Sequence, residues 1–336
     1  MKLCKRLLAA VVMTAMLVLC VPAFAYDMPD YPEAPEGYDG YVTFAVSALT
    51  MGWTYLIDPV LIPIHEGETF DVVTERAFEM LEWGHVSQQT EYGYNLSGIA
   101  CYETEPMVPE YLMNEILAYP AWAEENLPYV PGEWTGQFTD DEMLSSFEYC
   151  TLSGWMYTEN NVDPGVGADG LVVTAGNVYT WFFTIYGYGM DYGISDGWGM
   201  FPLFDNPMEG VDRTEVSETL ALLAADEKLG DSILEYAFEE FIIFLGYFYS
   251  PESTQAEIDD SLEAVFDALQ GSGDHETGDV DLDGEITVQD ALMLLRHSMG
   301  LIQLEGEALE VADVNGDGSV DMQDALVVLR RAMGLA

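Results

Sequence analysis

The sequence predicts a multidomain chain: an α+β central domain with a mixed sheet and a helix on one face, a small all-α module, and a C-terminal tandem of loop–helix units. Three observations predict it. Strand-type runs and one amphipathic helix alternate up to Gly199. The pattern then turns helical over 214–270. Two acidic twelve-residue segments near the C-terminus repeat in a single register.

From the N-terminus, residues 1–25 read as a signal peptide: Lys2, Lys5 and Arg6, the apolar run Leu7–Val21, and Ala23-Phe24-Ala25 as the cleavage site. Residues 26–40, rich in Pro, Asp, Glu and Tyr and without periodicity, read as a tether. The α+β domain is expected over 41–205. Tyr41–Leu49 and Pro59–His65 are strand-type runs. A helix is expected from Thr69 to about Trp83, with Val73, Ala77 and Leu81 on one face and Gly84 as its stop. A further strand falls near Leu96–Tyr102, helical pieces lie between Glu110 and Glu125, and Ser153–Tyr186 reads as strands and tight turns with a hairpin signal at Thr174-Ala-Gly-Asn177.

Over 214–270 the sequence implies a helical hairpin or three-helix unit. Asp231 is the expected cap of a buried bundle helix running to Tyr249. Thr254-Gln-Ala-Glu257 is a capping box that opens a helix with Ile258, Leu262, Val265, Phe266 and Leu269 on one face. Residues 271–278 read as a linker, and 279–336 as the tandem module.

In that module, Asp279-Val-Asp-Leu-Asp-Gly-Glu-Ile-Thr-Val-Gln-Asp290 and Asp313-Val-Asn-Gly-Asp-Gly-Ser-Val-Asp-Met-Gln-Asp324 place oxygen-bearing side chains at positions 1, 3, 5, 9 and 12, with Gly at position 6. A twelve-residue loop of this spacing wraps a hard cation that takes six to eight oxygens at about 2.3–2.6 Å, which points to calcium. One ion is expected on Asp279, Asp281, Asp283, Thr287, Asp290 and the Glu285 carbonyl. The other is expected on Asp313, Asn315, Asp317, Asp321, Asp324 and the Ser319 carbonyl. The helices that follow align without gaps, Val288–Leu301 on Met322–Leu335, with nine of fourteen pairs identical. Leu292, Leu295 and Met299, and equally Leu326, Leu329 and Met333, form the expected apolar stripe.

Two loop–helix units ending in Asp at position 12 resemble a type I dockerin, the module that plugs proteins into cohesin domains of a scaffoldin. The resemblance covers Gly278–Ala336. It implies cohesin contact at loop positions 10 and 11, Val288-Gln289 and Met322-Gln323, and at Arg296, Arg330 and Arg331. Type I dockerins often carry small hydroxyl residues at those loop positions, so this chain departs from the pattern there.

The central stretch carries a second resemblance. Ser47-Ala-Leu-Thr-Met-Gly-Trp53 is followed by Asp58-Pro, Glu66-Gly-Glu-Thr69, Ser153-Gly-Trp-Met-Tyr-Thr-Glu-Asn-Asn161 and Asp163-Pro-Gly-Val-Gly167. Gly176-Asn-Val-Tyr-Thr-Trp-Phe-Phe-Thr184 and Tyr186-Gly-Tyr-Gly-Met-Asp-Tyr-Gly193 then complete the order. Over Tyr41–Gly199 this looks like the transcobalamin-like C-terminal domain family. The resemblance implies a β-grasp-like mixed sheet with a helix and a soluble small ligand, a corrinoid or another, whose identity does not follow from it.

The composition excludes several classes. Net charge is −51, and −54 once the signal peptide and its three basic residues are gone, which repels nucleic acid and anionic membranes. No segment of the mature chain reads as transmembrane. At 49% hydrophobic and 12% aromatic residues the chain is globular rather than disordered. Export permits a disulfide between Cys101 and Cys150, with two buried thiols as the alternative. His65-Glu-Gly-Glu-Thr69 lacks the second His of a zinc protease, and Gly165-Val-Gly-Ala-Asp-Gly170 leads into a strand rather than a phosphate-binding helix. No catalytic residue is assigned.

Trp155, Tyr157 and Trp181 read as alternate residues on a buried sheet face. Tyr186, Tyr188, Tyr192 and Trp198, set among glycines, read as rings on an open loop suited to stacking on a sugar or a corrin-like ring. The expected function is a secreted, non-catalytic accessory held at the cell surface by a scaffoldin, with a small-ligand-binding central domain. The alternative is a carbohydrate-binding adhesin or a polysaccharide-degradation component, a glycan-active enzyme included, of a cellulosome-like complex.

Overall fold

The structure, a computed structural model, describes residues 30–101, 105, 107–128, 135, 142–271, 277–281, 286–304 and 307–333. The expected signal peptide, the start of the tether, the linker interior 272–276, and the ligands Asp283 and Glu285 lie outside the described residues. The chain divides into two compact units at Val265/Phe266.

The first unit is built on a four-stranded mixed sheet. β1 (Gly40–Ser47) pairs antiparallel with β2 (Tyr55–Ile64), from Gly40↔Ile64 to Ser47↔Tyr55. A second, antiparallel sheet has the order β3 (His85–Thr90), β4 (Gly93–Ala100), β5 (Met143–Ser145). The first sheet is completed by β6 (Gly154–Glu159) and β7 (Val178–Thr184), in the order β2-β1-β7-β6, with β1 and β7 parallel and the other pairs antiparallel. Two central strands buried on both faces explain why β7 reads Val-Tyr-Thr-Trp-Phe-Phe-Thr without polar alternation: all seven residues are buried.

The helix α1 (Phe70–Met80) packs on this sheet through Val73 and Ala77 of the expected face together with Phe70 and Phe78, and Leu81, its C-cap, is partly buried against the same core. Phe70 stacks on Tyr179 at 5.0 Å and on Trp181 at 5.5 Å between ring centres. The Trp181 indole N–H donates to Thr74 Oγ1 at 3.0 Å, fixing helix to strand. Trp155 and Trp181 are buried and Tyr157 partly so, all within this core. Truncating Phe70 to Ala would cost about 3–5 kcal/mol, because the aromatic layer cannot collapse into the void.

Three features of this unit differ from expectation. The turn at Thr174–Asn177 is present, with Asn177 N–H donating to the Thr174 carbonyl at 3.1 Å, but it does not close a hairpin. Val172 makes only a bridge to Thr69, and the antiparallel partner of β7 is β6. β3, His-Val-Ser-Gln-Gln-Thr, was not predicted, being polar and half-exposed along its length. The helix expected from Asp231 to Tyr249 is two helices, α4 (Glu227–Tyr236) and α5 (Phe238–Phe248), broken at Ala237 with φ −129° and ψ 22°. Its cap is Asp226, whose Oδ1 accepts from Lys228 and Leu229 N–H at 3.0 and 3.1 Å. Nor is it fully buried: Leu234, Phe238, Ile242 and Ile243 face outward.

α2 (Glu110–Asn126) fills the predicted helical stretch, and α3 (Thr214–Ala225) packs Ala221 and Leu222 on Leu61 of β2. The division between units falls within α6 (Gln255–Gly271), whose predicted stripe Ile258, Leu262, Val265, Phe266 and Leu269 is buried. Its capping box is formed: Thr254 N–H donates to Glu257 Oε2 at 2.9 Å, and Glu257 N–H to Thr254 Oγ1 at 3.3 Å.

In the second unit α7 (Val288–Ser298) and α9 (Met322–Ala332) follow the two acidic loops, with a single turn, α8 (Glu307–Glu310), ahead of the second loop. The small core is Val280, Ala291, Leu294, Leu304, Ala312, Ala325 and Val328. The expected stripe is therefore corrected: Leu292, Met299, Leu326 and Met333 are exposed, and the buried face uses Ala291/Leu294 and Ala325/Val328. Small alanines let the two helices approach closely, which pushes the larger side chains outward. Among the described residues, no helix is long and apolar enough to cross a membrane.

Candidate functional site

Each acidic loop is organised by the aspartate at its twelfth position. Asp290 is fully buried at the first turn of α7. Its Oδ1 accepts from Val280 and Asp281 N–H at 2.7 and 2.9 Å, and its Oδ2 from Thr287 N–H at 2.7 Å. One carboxylate thus ties the start of the loop to the start of the helix. Asp324 repeats the arrangement, Oδ1 accepting from Val314 and Asn315 N–H at 3.0 and 3.2 Å and Oδ2 from Asp321 N–H at 2.9 Å. Burial pushes the Asp290 carboxyl up, but the N–H groups of Asp281, Thr287 and Val280 outweigh it and hold the group below the usual range.

A buried carboxylate with such support still carries an uncompensated charge. In the first loop Asp279 and Asp290 are buried, and with Asp281 they bring ligand oxygens within 4.8 Å of one another. Carboxylates held this close repel each other unless a cation lies among them, and an all-oxygen donor set suits calcium. In the second loop Asp313 takes Gly316 and Gly318 N–H at 2.9 Å, one on each oxygen. Asn315 Oδ1 accepts from Asp317 N–H at 2.9 Å, and Asp317 Oδ1 from Ser319 N–H at 3.0 Å. The backbone therefore curls around the acidic side chains, as a cation-wrapping loop requires. Asp321 Oδ1 instead accepts from Gln323 N–H at 2.7 Å and caps α9.

Outside the loops the two helices present one apolar groove of ≈ 250 Å³. Val288, Ala291, Leu292 and Leu295 line it from α7, and Met322, Ala325, Leu326 and Leu329 from α9. Each α9 residue stands 34 positions after its α7 counterpart, so the groove is close to twofold symmetric. Of the residues expected to meet a partner, Val288 and Met322 line this groove, and Gln289, Gln323, Arg296 and Arg330 are exposed beside it in sequence. Arg331 is partly committed to the fold, donating to the Thr277 carbonyl at 2.6 Å and so joining the end of α9 to the entrance of the first loop.

These features decide the assignment of the module. Residues 277–331 match the family model of the dockerin type I domain. No curated protein matches the chain. The dockerin match accounts for the buried position-12 aspartates, the helix that follows each loop, and calcium as the cation of that family.

The aromatic residues of the first unit fall into two groups. Tyr186 and Tyr192 are buried rather than open, at 3% and 5% exposure. Tyr186 packs edge-on against Phe201 at 5.0 Å, and Tyr192 stacks on Phe182 at 4.2 Å. The reason is Asp191, fully buried, which sequence reasoning missed. Its Oδ1 accepts from the Thr184 hydroxyl at 2.7 Å, and its Oδ2 from Ile185 and Tyr186 N–H at 2.7 and 3.0 Å. It draws the glycine-rich loop onto the end of β7. Burial pushes its carboxyl up to about 7 against these donors. Gly193 completes the packing: at φ +83°, a Cβ there would lie 2.6 Å from the Met208 carbonyl oxygen.

Trp198 is 62% exposed, and the half-buried Tyr188 stacks beneath it at 4.8 Å and 21°. Both residues sit at φ 52°, a left-handed conformation that costs a side chain with a Cβ about 1–2 kcal/mol. Cys101 and Cys150 are both buried. His65 stacks on Tyr38, and His85 stacks on Phe78 with Nε2 3.0 Å from Glu75 Oε2.

Proposed function

We propose that this chain is an exported, non-catalytic accessory protein. Its dockerin binds two calcium ions and docks on a cohesin domain of a scaffoldin, carrying the first unit as a binding cargo in a cellulosome-like assembly. The observation that carries the docking reading is the symmetric apolar groove between α7 and α9. Ala291 and Ala325 floor it from the small core, while Val288, Leu292, Met322 and Leu326 stand exposed along it, in a module that the buried Asp290 and Asp324 hold together. An exposed apolar face of this kind marks an interaction surface, and Arg296 and Arg330, exposed on the same two helices, supply positive charge in an otherwise acidic chain.

The twofold repeat supports docking in either of two orientations. The test is binding of the full chain to a panel of immobilised cohesins with calcium and with chelator. Binding in calcium that is lost on chelation is expected. Indifference to chelation, or no binding to any cohesin, overturns the reading. Changing Gln289 and Arg296 to Ala, or Gln323 and Arg330, is expected to leave binding largely intact, whereas both pairs together abolish it. Loss from one pair alone would end the dual-orientation idea.

For the first unit, the transcobalamin-like resemblance supports capture of a soluble ligand. A mostly apolar cavity of ≈ 460 Å³, lined by Leu220, Leu223, Ile233, Phe241 and Leu245 beside the Asp58–Tyr249 hydrogen bond, supports it further. Calorimetric titration with cobalamin and cobinamide tests the corrinoid form of that reading. Saturable binding at micromolar or tighter affinity supports it, and absence of heat ends it.

A further inference from the structure

We propose that the loop from Tyr186 to Glu209 is a binding site for a neutral glycan, with the Trp198 indole as its stacking platform. This rests on the reading of the first unit as a binding module and names the ligand class of that module. Three observations converge on it.

The first is the platform. Trp198 offers a flat face to solvent at 62% exposure, backed by the parallel Tyr188 ring, and both residues hold left-handed backbone conformations. Strain of this kind persists only where the surroundings over-determine it, and it concentrates at binding sites. Here the surroundings are specific. Asp196 Oδ1 accepts Trp198 N–H at 2.8 Å and the Ser195 hydroxyl oxygen accepts Gly197 N–H at 3.0 Å. These bonds hold the backbone that carries Trp198, and the Tyr188 ring backs the indole, which lowers the cost of ordering it on binding.

The second is a cavity of ≈ 460 Å³ that shares Asp196 with the platform and is lined by Met190, Ile194, Ser195, Phe204 and Glu209 among others. It mixes apolar walls with hydroxyl and carboxylate groups. The Ser195 hydroxyl proton and the second oxygen of Asp196 are available to a ligand, and Glu209 is exposed. A sugar matches this lining: its axial C–H face packs on an aromatic ring while its hydroxyls donate to carboxylates and accept from a serine hydroxyl.

The third is charge. Asp196 and Glu209 border the cavity in a chain of net charge −51, which disfavours uronic or sulfated chains and leaves neutral glycans. The buried Tyr186, Tyr192 and Asp191 are then the anchors that hold the loop, and only Trp198 and the cavity meet the ligand.

The test uses the full calcium-saturated chain. Indole fluorescence titration with neutral oligosaccharides (cello-, xylo-, manno- and malto-series) is paired with pull-down on the matching insoluble polysaccharides and on polygalacturonate. The two arms tell soluble from insoluble sources of the same chemistry. Expected is binding to at least one neutral series and none to polygalacturonate. Trp198→Ala should weaken binding about tenfold or more, and Trp198→Phe, which keeps a ring, by about threefold or less, with unchanged far-ultraviolet circular dichroism. A neutral glycan held equally well by Trp198→Ala overturns the site but leaves the binding module. Corrinoid binding with no glycan binding overturns the glycan class alone. Shortening of the oligosaccharide during incubation overturns the non-catalytic reading on which the proposal rests, and silence toward every ligand overturns both.

Discussion

Replacing Asp191 by Asn should flatten the pH dependence of the first unit's stability. Asp191 is fully buried and its pKa rises from 3.8 unfolded to about 7 folded, so the folded state holds the proton more tightly. Its contribution is fully present below the unfolded value and is lost as pH rises through about 7. At 1.36 kcal/mol per unit, this single group removes about 3 kcal/mol of stability between about pH 4.5 and 7.5. Glu68 and Glu75, whose carboxyls are held below their ordinary value, act with the opposite sign and only at lower pH. Asn keeps the shape of the site: its carbonyl can accept from Ile185 and Tyr186 N–H, and its amide can donate to the Thr184 hydroxyl oxygen, which also accepts Gly189 N–H at 3.0 Å. The assay is urea unfolding followed by tryptophan fluorescence, because all seven tryptophans lie between Trp53 and Trp198 and report only this unit. The difference between wild type and Asp191→Asn should change by about 3 kcal/mol across that range. Parallel curves would refute the argument and mean that Asp191 stays ionised when folded.

Four further outcomes follow from the same geometry. Gly52→Ala should lower the stability of the first unit by at least about 2 kcal/mol at unchanged urea m-value, since Gly52 sits at φ +72° and a Cβ would lie 1.9 Å from the Met107 carbonyl oxygen. Leu294→Ala, at 0% exposure in the small dockerin core, should cost about 2–5 kcal/mol and weaken apparent calcium affinity, read by circular dichroism during calcium titration. Chelation should melt α7 and α9 without altering tryptophan fluorescence. Asp324→Ala, which removes the acceptor for Val314, Asn315 and Asp321 N–H, should lower the calcium bound at equilibrium dialysis by the share that the second loop holds.

Legibility varied with how much of an element's environment is local. α6 was readable to its cap and stripe because Thr254–Glu257 is a contact between neighbours and one face is uniformly apolar. The spacing of the acidic loops was likewise readable, since every donor to Asp290 or Asp324 lies within ten residues. α7 and α9 are apolar on two faces, so periodicity could not tell which one the module would bury. Burial of Ala291 and Ala325 in one shared core decides it, and that packing is tertiary. The aromatic loop misled for a related reason. Tyrosines among glycines look open until one buried carboxylate, Asp191, gathers the strand end and the loop onto itself, and nothing in the surrounding sequence marks that aspartate among 60 acidic residues.

The parallel pairing of β1 with β7 bears on how the chain reaches its fold. Thr43 meets Val178 and Ser47 meets Phe182, so the two central strands are neighbours in space and far apart in sequence. β1 and β2 form a hairpin that can close within microseconds, whereas the other edge of β1 must wait for a loop of well over a hundred residues to close. Until then a run of valine, phenylalanine and alanine presents open backbone groups, the condition under which strands pair with the wrong chain. During synthesis that edge stays bare until Phe182 has emerged, which makes the interval before β7 arrives the period of greatest aggregation hazard for this molecule.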